Sequence, residues 1–162
     1  GGLGLVVLAA HAAAARGTSA EEVVAHAREA RATLRMWFAI DTLEYLRRGG
    51  RIAAAQAWVG SALRIKPILT VESEITPVER VRTSGRAFER MVDYLASRRD
   101  DGADAWVVQH IQAPDACARL VERGREIFGV DPAFVSEIGP VIGTHVGPGL
   151  LGVGGIPQRF LA

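Results

Sequence analysis

Short apolar runs rich in β-formers alternate with longer stretches of helical period, and that alternation restricts the fold more than any other feature. Residues 36–40 (MWFAI), 65–71 (IKPILTV), 75–81, 105–111 (AWVVQHI) and 134–138 have the length and character of strands. Strands that alternate with helices predict an α/β domain, a mixed sheet packed with helices. Two helices are expected before the first strand. Residues 3–15 are Ala-rich and apolar throughout, which predicts a buried helix closed by Gly17. Thr18 or Ser19 then caps a second helix running to about Arg35, with Glu21 and Glu22 in the first turn, where the helix dipole favours anions. Asp41 is expected to cap a helical turn through Leu46, stopped by Gly49-Gly50. Residues 52–63 read as an Ala-rich helix. Ser84 is expected to cap a helix through Ser97, and Pro114 to open one through Phe128. Pro67 and Pro77 point to edge or irregular strands, joined by a tight turn at Glu72-Ser73-Glu74.

The 162 residues suit one domain or one lobe of a larger protein, and with 49% hydrophobic residues the chain can build a core. It lacks an initiator Met and opens inside an apolar segment, so residues upstream are expected. Nineteen basic and eighteen acidic side chains nearly cancel, which argues against nucleic-acid binding. No apolar run reaches the roughly 20 residues of a membrane-spanning helix. The apolar start has no basic leader, so a signal peptide is not expected and the protein is read as cytoplasmic. The single cysteine, Cys117, is expected to pack on a helix.

Residues 139–149 (GPVIGTHVGPG) are the strongest local feature. Glycines there allow positive φ and close approach to a ligand, and successive loop amides form anion-binding nests. Gly143 is expected to contribute backbone, Thr144 a hydroxyl and His145 an imidazole that donates to a carboxylate or phosphate. The plain alternative is a Gly-rich turn between two strands with His145 solvated. A second feature is Arg47-Arg48-Gly49-Gly50-Arg51, where guanidinium forks flank a close-approach turn suited to an oxyanion. Arg80 and Arg82 alternate on an expected strand and so share one face. A solvated basic surface is the plain reading of both.

Other chemistry finds no footing. His11 reads as a core histidine and His26 as solvated, while His110 ends a strand. No HExxH or CxxC occurs, so no metal site is expected. No GxGxxG follows an expected strand, no phosphate-binding GxxxxGK[ST] loop is present, and Ser61 is not in a GxSxG elbow.

Taken together, four segments resemble the DegV family. Residues 38–52 carry Leu-x-Tyr-Leu-x-x-Gly-Gly-Arg-Ile. Residues 60–69 resemble its Gly-x-x-Leu-x-Ile-Lys-Pro-Ile-Leu stretch. Val78-Glu-Arg-Val-Arg82 follows, and residues 136–149 resemble its closing motif. The order and spacing of all four agree, over nearly the whole chain. The resemblance implies the C-terminal lobe of a two-lobed fold, with an N-terminal lobe absent from this chain. It implies a long-chain fatty acid held between lobes, its tail in an apolar tunnel, presented to a fatty acid kinase catalytic subunit that makes the acyl phosphate. It implies no catalytic residue, no metal and no cofactor other than the bound acid. The carboxylate-reading histidine maps onto His145, beside Gly143 and Thr144. Arg51 maps near the mouth and the partner surface, with Arg82 and Arg80 as further partner-facing positions. Residues 3–15 and 53–63 are expected to line the tunnel. Two alternatives stay open. One is an enzyme using His145 as general base in acyl or phosphoryl transfer, and the other is an interaction lobe without ligand.

Overall fold

The computed structural model describes residues 1–58, 65–72 and 74–162. The chain forms a six-stranded mixed sheet with helices on both faces, the α/β class expected from the alternation. In chain order the elements are α1 (Gly2–Ala15), α2 (Ala20–Thr33), β1 (Arg35–Ala39), α3 (Glu44–Arg48), a 3-10 turn (Ala53–Trp58), β2 (Lys66–Val71) and β3 (Ile75–Val81). They continue with α4 (Ser84–Asp100), β4 (Ala105–His110), α5 (Pro114–Phe128), β5 (Phe134–Glu137), α6 (Pro140–Val146) and β6 (Leu151–Ile156). The sheet order is β3-β2-β1-β6-β4-β5, antiparallel throughout except for the parallel pair β4–β5.

Alternation along β4 shows how the sheet serves two cores. Trp106 and Val108 point to one face, where they pack with Phe88, Met91 and Leu95 of α4 and Leu120 of α5. Ala105 and Val107 point to the other and meet Leu5 and Ala9 of α1 and Ala30 of α2. A third cluster closes one end of the sheet, joining Leu46 of α3 and Val146 of α6 to Ile40, Leu69, Ile111 and Leu150.

Local signals set several boundaries. Ser19 and Glu22 form a reciprocal capping box at the start of α2. Pro114 is the first residue of α5, whose last turn is closed by Gly129 at φ +70. Cys117 is buried on α5, as expected.

Other expectations are corrected. α1 is not buried all round: Leu5, Ala9 and Ala13 form its buried stripe, whereas Leu3 is 78% and Val7 56% exposed. His11 lies on the exposed side rather than in the core. His26 is half-buried, with Nε2 3.0 Å from the Phe160 carbonyl and its ring edge-on to Phe160. Arg35 belongs to β1, not to α2. Asp41 does not cap α3; the Thr42 hydroxyl accepts from the Glu44 amide, while Asp41 pairs with Lys66. Thr83, not Ser84, caps α4, which continues to Asp100. β2 lies inside the sheet despite Pro67, because the proline sits at its second position and still offers its carbonyl to the Ile40 amide. Pro77 does sit on the edge strand β3, beside a register shift at Ile68/Leu69. The helix expected over residues 52–63 is a 3-10 turn over Ala53–Trp58; residues 59–63 and Ser73 lie outside the described residues.

Candidate functional site

Within the glycine-rich segment at residues 139–149, residues 140–146 are helical and only residues 147–149 form the expected loop. Gly139 precedes a two-turn helix, α6, whose first residue is Pro140. The Gly143 amide donates to the Gly139 carbonyl at 3.1 Å, so it serves the helix rather than a ligand. The helix forms despite its glycine because Val146 buries into the third cluster and Pro140 needs no amide partner at the first position. Gly147 ends it at φ +77, ψ 175, a conformation nearly restricted to glycine.

α6 packs against α3, and the contact brings the two sequence motifs together. A Cβ on Gly49 would fall on His145 Nδ1, and one on Gly147 would fall on the Tyr45 ring. One on Gly149 would lie 2.7 Å from the Asp41 carboxylate. Residues 41, 45 and 49 therefore face residues 145, 147 and 149, each glycine accepting a side chain from the other segment. Asp41 is fixed there by Lys66 Nζ at 2.6 Å.

The individual site candidates divide between two sides of α6. His145 is half-buried against Gly49, and its Nδ1 is buried with no hydrogen-bond partner among the described residues. Arg51 is exposed and returns to the same glycine, donating from a terminal nitrogen to the Gly49 carbonyl at 2.6 Å. Gly143 and Thr144 instead line an open cleft of about 540 Å³ with Glu137, Gln112 and Pro140; His145 is not among its walls. The Thr144 hydroxyl donates to the Val141 carbonyl at 2.9 Å. The cleft lies beyond the carboxyl ends of the parallel strands β4 and β5, where ligands of open α/β sheets commonly sit. One wall is Gln112, at φ +48, whose amide donates to Glu137. Arg80 and Arg82 are exposed at the far edge, on and just past β3; the Arg80 guanidinium lies 5.3 Å from the Trp58 ring centre.

Tyr45, Asp41 and the Gln112–Glu137 pair were missed by sequence reasoning. The two-residue spacing of His145, Gly147 and Gly149 was a visible signal, but its partner spacing of four, at 41, 45 and 49, acquires meaning only once the helices meet.

Electrostatics fix the outer face of α3. Glu44 accepts from Arg47 and Arg48 at 2.7–2.9 Å, and these bonds hold its carboxyl down at about 2. A depressed carboxyl stabilises the fold above its unfolded value and loses that contribution as pH falls. The bridge is thus expected to persist at neutral pH and to fail between the ordinary carboxylate value of 4.5 and about 2. An NMR titration placing the Glu44 midpoint at an ordinary carboxylate value would contradict this arrangement.

Among the described residues, no three His, Cys, Asp or Glu side chains come together to hold a metal ion. No helix among them is long and apolar enough to cross a membrane.

A six-stranded mixed sheet with helices on both faces places the chain in the α/β class. The chain belongs to the DegV family: the family model, described as uncharacterised DegV proteins, matches residues 1–158. It is 45% identical to a DegV domain-containing protein of Streptomyces coelicolor over 153 residues, 93% of this chain and 54% of that protein. Among solved structures it resembles a fatty acid binding DegV family protein of Streptococcus agalactiae (TM-score 0.83, 26% identity, 94% of this chain and 54% of that one). It also resembles DegV of Bacillus subtilis, a fatty acid binding protein (TM-score 0.81, 33% identity, 94% and 55%). The chain spans about half the length of the relatives it matches.

Proposed function

We propose that this chain is the C-terminal lobe of a carrier that binds one long-chain fatty acid, with the carboxylate read by His145. The observation that carries the reading is the half-buried imidazole seated between the two family motifs, with Arg51 turning back to the same glycine. Similarity to fatty acid binding relatives supports the ligand class. A carboxylate leaving water must be paired or hydrogen-bonded, and a histidine N–H with a nearby guanidinium supplies both. Glu137 makes the adjoining cleft unfavourable for an anion, so the carboxylate belongs on the His145 side of α6, and Gly143 and Thr144, which line that cleft, stand on the side away from it. The exposed Leu3, Val7 and Leu8 of α1 offer an apolar face for the tail, worth about 0.8 kcal/mol per methylene removed from water. An N-terminal lobe completes the site. The carrier acts in the cytoplasm, is not itself an enzyme, and offers Arg51, Arg80 and Arg82 to a fatty acid kinase catalytic subunit that makes the acyl phosphate.

Calorimetric titration with oleate tests the reading. His145→Ala in the protein at its natural length is expected to weaken binding by roughly tenfold or more, the loss of a hydrogen bond to a charged group, with the fold retained. Equal affinity of both forms would sink the assignment of His145. Mass spectrometry of co-purified lipid identifies the acyl chain, and turnover by the purified protein alone would favour an enzyme instead.

A further inference from the structure

We infer that Gly49 is a positioning residue that fixes which nitrogen of His145 meets the ligand, an inference that rests on the reading of His145 as the carboxylate-binding group. The two glycines of the Gly49-Gly50 turn are there for different reasons. Gly50 has φ +68 and open space where a side chain would go, so glycine is needed there for its conformation. Gly49 has φ −79 and ψ 0, values open to any residue, yet a Cβ would overlap His145 Nδ1. Glycine is needed at 49 for space, and the histidine ring occupies that space.

The seat selects a tautomer. The Gly49 hydrogen that stands in place of a Cβ is directed at Nδ1, which is buried and has no hydrogen-bond acceptor among the described residues. The Tyr45 carbonyl, 3.2 Å from the same Cβ position, accepts from the Gly49 amide. An N–H at Nδ1 would press against a C–H with nothing to accept it, whereas a lone pair there receives a weak C–H donor. Of the two neutral tautomers the site therefore holds the one protonated at Nε2. That nitrogen points away from Gly49 and donates to the carboxylate. The imidazole reads the ligand through Nε2 alone, and Gly49 is what turns it that way.

The test uses the protein at its natural length, labelled with ¹⁵N at histidine, with oleate as probe. Long-range ¹H–¹⁵N correlations in the unliganded wild type are expected to show His145 unprotonated at Nδ1 and protonated at Nε2. Gly49→Ala should shift both resonances and weaken oleate binding about as much as His145→Ala, roughly tenfold or more. Gly50→Asn, which tolerates the left-handed conformation, should leave the His145 signals and the affinity close to wild type. If Gly49→Ala folds poorly, the double variant Gly49→Ala/His145→Ala decides. With the ring gone the overlap is gone, so its melting temperature should recover to that of His145→Ala alone. An Nδ1-protonated His145 in the wild type, an unchanged spectrum in Gly49→Ala, or a double variant as unstable as the sum of the singles would each overturn the proposal. If no form binds oleate, the carboxylate assignment fails, while the tautomer and the double variant still judge the seat.

Discussion

Replacing Trp106 with alanine is expected to destabilise the chain by about 3–5 kcal/mol, lowering the melting temperature by about 10 °C or more. Trp106 has no exposed surface and is the largest side chain so buried. Its indole stacks on Phe128 with ring centres 5.2 Å apart and donates from Nε1 to the Val130 carbonyl at 3.3 Å. It also lies directly over Gly124 of α5, where a Cβ would collide with the six-membered ring. Its removal opens a cavity between β4 and α5 that the sheet and the helix, each held by other contacts, cannot collapse to fill. The same geometry makes a second variant informative. Gly124→Ala alone should destabilise, although alanine is the better helix former. In the Trp106→Ala background the collision is gone and Gly124→Ala should become neutral or stabilising. Denaturant unfolding of the four proteins measures the coupling, and simple additivity would show that the indole does not rest on Gly124.

Gly147→Ala should cost about 3 kcal/mol or more and, on the proposed carrier reading, weaken oleate binding about as much as His145→Ala. Two effects add. The backbone at φ +77, ψ 175 costs a side-chain-bearing residue about 1–3 kcal/mol, and a Cβ there overlaps the Tyr45 ring. Because Gly147 directly follows α6, relieving either strain tilts that helix and moves His145 off Gly49. Tyr45→Ala in the same chain removes the overlap but not the backbone strain, so it should restore part of the stability and not all of it. Complete restoration would mean the backbone has an easy alternative at 147. No restoration would mean the ring does not constrain the turn.

These two positions mark what could and could not be read from the sequence. α2 and α5 were legible because their limits are written locally: Ser19 and Glu22 at one start, Pro114 at another, a glycine after the last turn. α6 was not, because Gly143 and the flanking glycines have poor helix propensity; the helix is held by Val146 in the end cluster and by α3 beneath it. β6 was hidden for the same reason. Gly152, Gly154 and Gly155 weaken its strand pattern, yet every residue of it is buried, and a Cβ at Gly154 would meet the Arg35 carbonyl at 2.7 Å. In the site, His145 and Arg51 stood out by residue type and motif. That both converge on Gly49 depends on packing between segments about a hundred residues apart, which no local pattern encodes. Residue type grouped Gly143, Thr144 and His145 as one ligand set, and the helix divides them between two sides.

The sheet order carries a consequence for how the chain comes off the ribosome. β6 is synthesised after the other five strands of this sheet, yet it lies at the centre, bonded to β1 on one side and β4 on the other. Until residues 151–156 emerge, β3-β2-β1 and β4-β5 are two fragments, each with an open edge. Productive folding must therefore wait for almost the entire domain, and the closing step brings together partners more than a hundred residues apart, as with Arg35 and Gly155. Such long-range pairing makes for slow folding and for exposed strand edges during the wait, so nascent chains stalled before residue 151 are the species most in need of a chaperone.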